Sequence, residues 1–449
     1  VSSAAQPVRH PDVRSPRLMT KRAWWLVVLN LLIPGSAQVV AGNRRLGRFG
    51  LAATLVGWLL LLAALAILLV NSTLLVAIFA TRVALVSLVF VAVFYGTLWL
   101  VLTLDTLRLV RLVHVMPRAR VVVAAVALLG LVAGVGGAGF AATRVAGAFD
   151  ILGIFDGGQV AEPVDGRYNV LVLGGDAGPD RLGLRPDSIS VVSIDAVTGS
   201  TAIFGIPRNM QHVPFAEGSP LYGPFPNGYD CGVECLVSYL YTYGEEHPEL
   251  YPDAIDRGTS PGIEATRDAV QGILGLTVQY VVLIDMQGFQ QLVDALGGVE
   301  IDVRERIPIE GGEDSNGQPI NVAGWIEPGV QRLDGYHALW YARARHGTND
   351  YDRMARQREV QEAILRQMDP ANVLVRFNEV AAAGGAAVST DIPSPMLSHF
   401  VALALKAKEL PLVTMDFVPE AWDNIHPDFA AIQATVDQLT APVTASPSP

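Results

Sequence analysis

Apolar residues along this chain are gathered into long runs at one end and short ones at the other. Phe49–Val70, Val83–Leu104 and Val121–Thr143 are each 22 or 23 residues long and free of charge. About 20 apolar residues cross a hydrocarbon core as a helix, so the pattern predicts three membrane spans. The alternative is a soluble core holding three such helices in succession. Ala23–Ala41 is weaker, being interrupted by Asn30, Pro34, Gly35, Ser36 and Gln38. It is expected to be interfacial or re-entrant, with a full span as the alternative. Beyond residue 150 the period shortens. Tyr168–Leu173, Asp187–Asp195, Thr201–Pro207, Val278–Ile284 and Val299–Val303 have strand character. Gly262–Leu274 and Met286–Leu296 have helix character. The second and third strands, joined across a Thr-Gly turn, form a hairpin. Alternating strands and helices predict a layered α/β domain. Proline- and glycine-rich stretches at 214–228 and 308–329 are expected to be loops, and the final APVTASPSP a disordered tail.

Charge divides along the same line. Residues 1–149 carry 14 basic and 2 acidic side chains, whereas the remaining residues carry 18 basic and 41 acidic ones. Basic residues flank the apolar runs: Lys21 and Arg22, then Arg44, Arg45 and Arg48, then Arg108, Arg111, Arg118 and Arg120. The positive-inside rule places all three groups in the cytoplasm. Three crossings then leave the remainder outside. The expected organisation is a cytoplasmic tail at 1–22, a membrane region at 23–145, an extracytoplasmic domain at 150–440 and a tail at 441–449. An acidic external domain excludes nucleic acid as partner. Cys231 and Cys235, four residues apart, fall on one face if helical. A disulfide suits an oxidising exterior, and two buried thiols are the alternative.

Five arginines lie within residues 343–358. Arg343 and Arg345 share a side if that stretch is extended. Asp350 is expected to cap a following helix. At about 100° per residue, Gln357, Val360 and Ile364 fall within about 40° of Arg353. Arg353, and Arg356 beside it, should therefore point inward. Arg358, Glu359, Glu362 and Arg366 fall on the opposite, mixed-sign face and are expected in solvent. Guanidinium groups gathered inside require anionic compensation. A phosphate or pyrophosphate ligand supplies it, and so does an internal network using Asp350, Asp352 and other acids. Asp176 and Asp187, with Arg185 and Arg208 nearby, fall at strand ends, where paired carboxylates suit a hard divalent cation on phosphate oxygens.

Six stretches, NVLVLGGDAG, RPDSISVVSID, AIFGIPRN, VDALGGVEIDV, LDGYHALWYARAR and DYDRMARQ, together resemble the LytR-CpsA-Psr family of membrane-anchored cell-wall phosphotransferases. The resemblance covers roughly residues 165–365. It implies a three-layer α/β/α sandwich with a mixed central sheet, here preceded by an all-α transmembrane region. It implies an activity that moves a glycopolymer (of teichoic acid, arabinogalactan or capsule type) from polyprenyl pyrophosphate to peptidoglycan, releasing polyprenyl phosphate. Mg²⁺, or Mn²⁺ in its place, is the implied cofactor. By motif, Asp176 and Asp187 face the metal, and Arg185, Arg208, Arg343, Arg345, Arg353, Gln357 and Asn227 line the phosphates. Arg208, Arg343, Arg345 and Asp350 carry the catalysis. The family reads PRD where this chain has Asn209. A pyrophosphatase acting on the same lipid and a non-catalytic binder of an anionic glycan remain alternatives. The charge pattern predicts that a reporter fused after residue 440 is active only outside the cytoplasm; activity of a cytoplasmic reporter there contradicts the three-crossing topology.

Overall fold

A computed structural model of the chain describes residues 9, 11–70, 78, 82–154, 158–175, 186–314, 318–344, 349–367, 388–419 and 421–441. It divides into two compact units, Val1–Phe149 and Asp150–Pro449.

The first unit is helical: α1 Pro16–Leu32, α2 Ser36–Ala41, α3 Arg44–Val70, α4 Arg82–Val110 and α5 Pro117–Ile154. Arg44–Val70, Val83–Val110 and Pro117–Thr143 are long and apolar enough to cross a membrane. The polar residues that interrupt Ala23–Ala41 have a structural use. Arg22 donates to the Leu109 carbonyl at 2.7 Å, and Asn30 donates to Thr103 Oγ1 at 3.1 Å. Gln38 donates to the Leu102 carbonyl at 2.8 Å and to Thr106 Oγ1 at 3.0 Å. α1 thus runs along α4 from the level of residue 109 to that of residue 103. The chain then reverses, and α2 returns beside residues 102–106. The reversal needs Gly35, whose φ is +97° and whose missing Cβ leaves room for the backbone of Gly47 and Leu51.

The second unit is built on β1 Arg167–Gly175, β2 Pro186–Asp195, β3 Thr201–Ile206, β4 Tyr280–Asp285, β11 Val388–Thr390 and β12 Val413–Asp416, in the order β11-β4-β1-β2-β3-β12. β1 pairs antiparallel with β2 and parallel with β4, so the sheet is mixed. Side chains alternate across it. Leu171, Leu173, Ile189, Val191 and Phe204 face a core shared with α6 Leu240–Glu246, α7 Pro261–Leu274 and α12 Phe429–Thr440. Tyr168, Val170 and Tyr280 face the other way, toward Met396 and Leu403 around α11 Leu397–Ala407. Helix α10, Asp350–Gln367, lies on that second face, where Gln361 donates to Ser190 Oγ at 3.2 Å. The result is an α/β/α sandwich. A second core cluster joins α10 to α9 Gly335–Arg343, α8 Met286–Leu296, β5 Val299–Val303 and β10 Gly329–Leu333.

Helix boundaries follow their caps. Asp285 accepts from Gly288 N at 2.7 Å to open α8, and Gly297 at φ 88° closes it. Asp334 accepts from His337 N at 2.9 Å to open α9.

Four expectations are corrected here. Residues 308–329 contain strand pairs, β6 Ile307–Ile309 with β9 Gly324–Ile326 and β7 Gly312–Glu313 with β8 Pro319–Ile320. These are too short to show alternation in sequence. Cys231 and Cys235 form a disulfide in a turn rather than on a helix, since Gly232 adopts φ 87° between them. Asn349, not Asp350, caps α10, accepting from Tyr351 N at 2.8 Å and Asp352 N at 2.9 Å. Arg358 is buried rather than solvated. It pairs with Asp416 of β12 at 2.6 Å, over Gly205, where a Cβ would collide with both groups. The helical wheel treated the opposite face of α10 as solvent because the edge strand that covers it arrives some 50 residues later.

Arg358→Ala leaves the Asp416 carboxylate, 20% exposed, without its cation. The variant is expected to lose about 3 kcal/mol in chemical denaturation, and a loss under about 0.5 kcal/mol contradicts the anchoring role.

Candidate functional site

The end of the sheet where β2 begins and β3 finishes carries the charged group. Pro186 opens β2 and sets Asp187 at its rim. Pro207 stops β3 and presents Arg208 and Asn209 just beyond it. The first turn of α10 meets both. Asp187 Oδ1 accepts from Arg208 in a short charge-assisted contact. Its Oδ2 lies 3.5 Å from Arg353 Nη1, and Arg353 Nη2 lies 3.5 Å from Asp350 Oδ1. Arg353 also donates to the Asp187 carbonyl at 3.4 Å.

Arg353 is 1% exposed, whereas the Asp187 and Arg208 side chains are each 20% exposed. One guanidinium is therefore locked inside, and a carboxylate and a second guanidinium stand at the rim. The positive end of α10 points at the same place. A recess lined by Asp187, Ser188, Ile206, Met354, Gln357 and Gln361 separates β2 from α10.

The structure thus brings Asp187, Arg208, Asp350, Arg353 and Gln357 together. The arginines did have carboxylates of their own: Asp187 and Asp350 balance Arg208 and Arg353. The internal ion network left open by the sequence is present. Arg343 occupies the last turn of α9 rather than an extended strand, its guanidinium 5.3 Å from the Trp340 ring centroid. Arg345, Arg185 and Asp176 lie outside the described residues. Asn227 is exposed on the turn before Gly228, and among the described residues no hydrogen bond joins it to the Asp187 group.

Arg356 points inward, as the wheel implies, but serves the scaffold. It donates to the Tyr341 carbonyl at 2.9 Å and to the Ala344 carbonyl. Burial lowers its pKa from the ordinary guanidinium value, and the Glu305 carboxylate opposes the shift. The Tyr341 phenol is raised by burial and then by its hydrogen bond to Glu359. These contacts fix the crossing of α9 on α10, and with it the place of Arg343 relative to Arg353. Sequence reasoning missed Tyr351, whose hydroxyl lies 3.4 Å from Asn209 Nδ2. Its place between Asp350 and Asp352 in the DYD triplet was the available signal.

Among the described residues no group of three or more His, Cys, Asp or Glu could hold a metal ion. Asp187 already meets two guanidinium groups. That donor set does not make a dedicated metal cage.

The family model described as the LytR_cpsA_psr family matches residues 156–440. The polyisoprenyl-teichoic acid–peptidoglycan teichoic acid transferase TagU of Halalkalibacterium halodurans is 25% identical over 227 residues, which are 50% of this chain and 61% of that protein. Regulatory protein MsrR of Staphylococcus aureus is 26% identical over 230 residues, 51% of this chain and 58% of that protein. Biofilm regulatory protein A of Streptococcus mutans is 32% identical over 231 residues, half of each chain. The chain spans between 50% and 61% of these relatives' lengths. Among solved structures, B. subtilis TagV aligns with a TM-score of 0.44 at 20% identity, covering 61% of this chain and 96% of that one. TagT bound to LI-WTA aligns at 0.41 and 19%, covering 63% and 92%. With its six motifs in order and the family match running over most of the α/β unit, the chain belongs to the LytR_cpsA_psr family.

Proposed function

We propose that this protein attaches a polyprenyl-pyrophosphate-linked glycopolymer to peptidoglycan at the outer face of the membrane, releasing polyprenyl phosphate. The observation that carries the reading is the Asp187–Arg208–Arg353 group at one end of the sheet, in a family that includes a relative named as a teichoic acid transferase. Three helices long and apolar enough to cross a membrane support a membrane anchor.

Arg353 is held by Asp187 and Asp350, so its guanidinium is oriented before any ligand arrives. Arg208 at the rim would meet phosphate oxygens as a fork. Arg343, steadied by Trp340, would reach the same ligand from α9, with Arg185 and Arg345 as further donors. Fixed donors of this kind lower the barrier by meeting charge as it develops on the departing phosphate. A sugar hydroxyl of peptidoglycan would attack the phosphorus that carries the polymer. Asp187, with Asp176, would hold Mg²⁺ (or Mn²⁺), which neutralises diphosphate charge when bound. Asp350 is placed to orient Arg353.

Arg208→Ala in the full chain is expected to lower transfer of radiolabelled polymer from lipid to peptidoglycan by about 100-fold. Thermal stability should shift little, since Asp187 keeps Arg353 as a cation partner. Polyprenyl phosphate and polymer-bearing peptidoglycan should appear in equal amounts with the wild type. Release of the lipid phosphate without attached polymer points to hydrolysis, and binding without turnover points to a receptor; either contradicts the proposal.

A further inference from the structure

Among the described residues, Asn209 is a side chain at this site whose hydrogen bonds do not all close. It follows Arg208 directly, beside the Asp187 group. Among the described residues its buried Oδ1 has no hydrogen-bond partner, and its Nδ2 has one long contact, 3.4 Å to the Tyr351 hydroxyl. A buried amide oxygen left unmade is costly, by about 1–3 kcal/mol. Side chains so placed within a charged site commonly complete their bonding with a ligand. An ionised diphosphate cannot do this. Its oxygens only accept, and the arginines are the groups suited to them. A partner for Oδ1 has to donate.

We propose that Asn209, with Tyr351 beside it, forms the subsite for the acceptor hydroxyl, a neutral sugar O–H, in the transfer reaction. The inference rests on the function proposed above. The O–H donates to Asn209 Oδ1, which turns a hydroxyl lone pair toward the phosphorus. The new P–O bond forms to that oxygen. The P–O bond to the polyprenyl phosphate breaks, and the leaving phosphate takes the bonding electrons and then the hydroxyl proton. Asn209 neither gains nor loses a proton, and an amide suits the task. A carboxylate here would accept equally well but would place a further negative charge beside the incoming diphosphate. Asn209 thus contacts substrate and sets preference for the acceptor, while donor affinity stays with the arginines.

The test measures transfer by the full chain in lipid nanodiscs, with a lipid-linked glycopolymer as donor and soluble peptidoglycan strands as acceptor. Asn209→Ala is expected to raise the KM for the strands about fivefold and to leave the donor KM within twofold. Asn209→Asp is expected to keep the acceptor KM and raise the donor KM. Binding of inorganic pyrophosphate by each variant reports that the site is folded. Unchanged acceptor KM in a folded Asn209→Ala overturns the inference. So does a rise in donor KM alone, which means that the amide nitrogen faces the phosphates. Absence of transfer by the wild type counts instead against the proposed function, so the two failures are separable.

Discussion

A guanidinium at 1% exposure cannot be left alone in a protein interior, and much of the α/β unit is arranged around that constraint at Arg353. Its neighbours are Asp187, fixed at the start of β2, and Asp350, one turn earlier on its own helix. Because Asp187 also grips Arg208, three segments far apart in sequence are tied at one point: the start of β2, the end of β3 and the first turn of α10. The buried pair alone is weak evidence for stability, since desolvation offsets much of the attraction. Its value is positional. It fixes where the exposed rim of the cluster lies.

Two further contacts keep the tie rigid. Arg358 and Asp416 clamp the middle of α10 to the far edge of the sheet across Gly205. Arg356 binds the carbonyls that end α9. Three arginines on one helix therefore face three different layers. Arg353 faces the sheet's end, Arg356 faces α9 and Arg358 faces β12. Only the first of these reaches the site.

Much of the architecture was legible because it rests on periodicity. The three apolar runs, the β2–β3 hairpin, α8 and β5 follow directly from spacing of apolar residues and from Gly297-Gly298. What periodicity cannot show is the partner of a face. Arg358 fell on the charged side of the wheel, yet Asp416, nearly 60 positions later, covers it. The cap of α10 moved by one residue because Asn and Asp compete equally for that position. The grouping of Asp187, Arg208, Arg353 and Gln357 was readable from the helical wheel, the strand ends and the motif resemblance together, since spacing alone left both an ion network and a phosphate site open. The structure contains the network. In the membrane-type unit, Asn30 and Gln38 weakened the apolar run for a physical reason: they bond to α4 as the hairpin turns back.

The proposed function requires that fixed guanidinium groups grip a lipid-borne diphosphate. Native mass spectrometry of the full chain with geranylgeranyl pyrophosphate, and with the matching prenyl alcohol, tests it most directly. The expected result is a one-to-one adduct with the pyrophosphate that is lost in Arg343→Ala, and no adduct with the alcohol. Equal retention of both, or an adduct indifferent to Arg343, contradicts it.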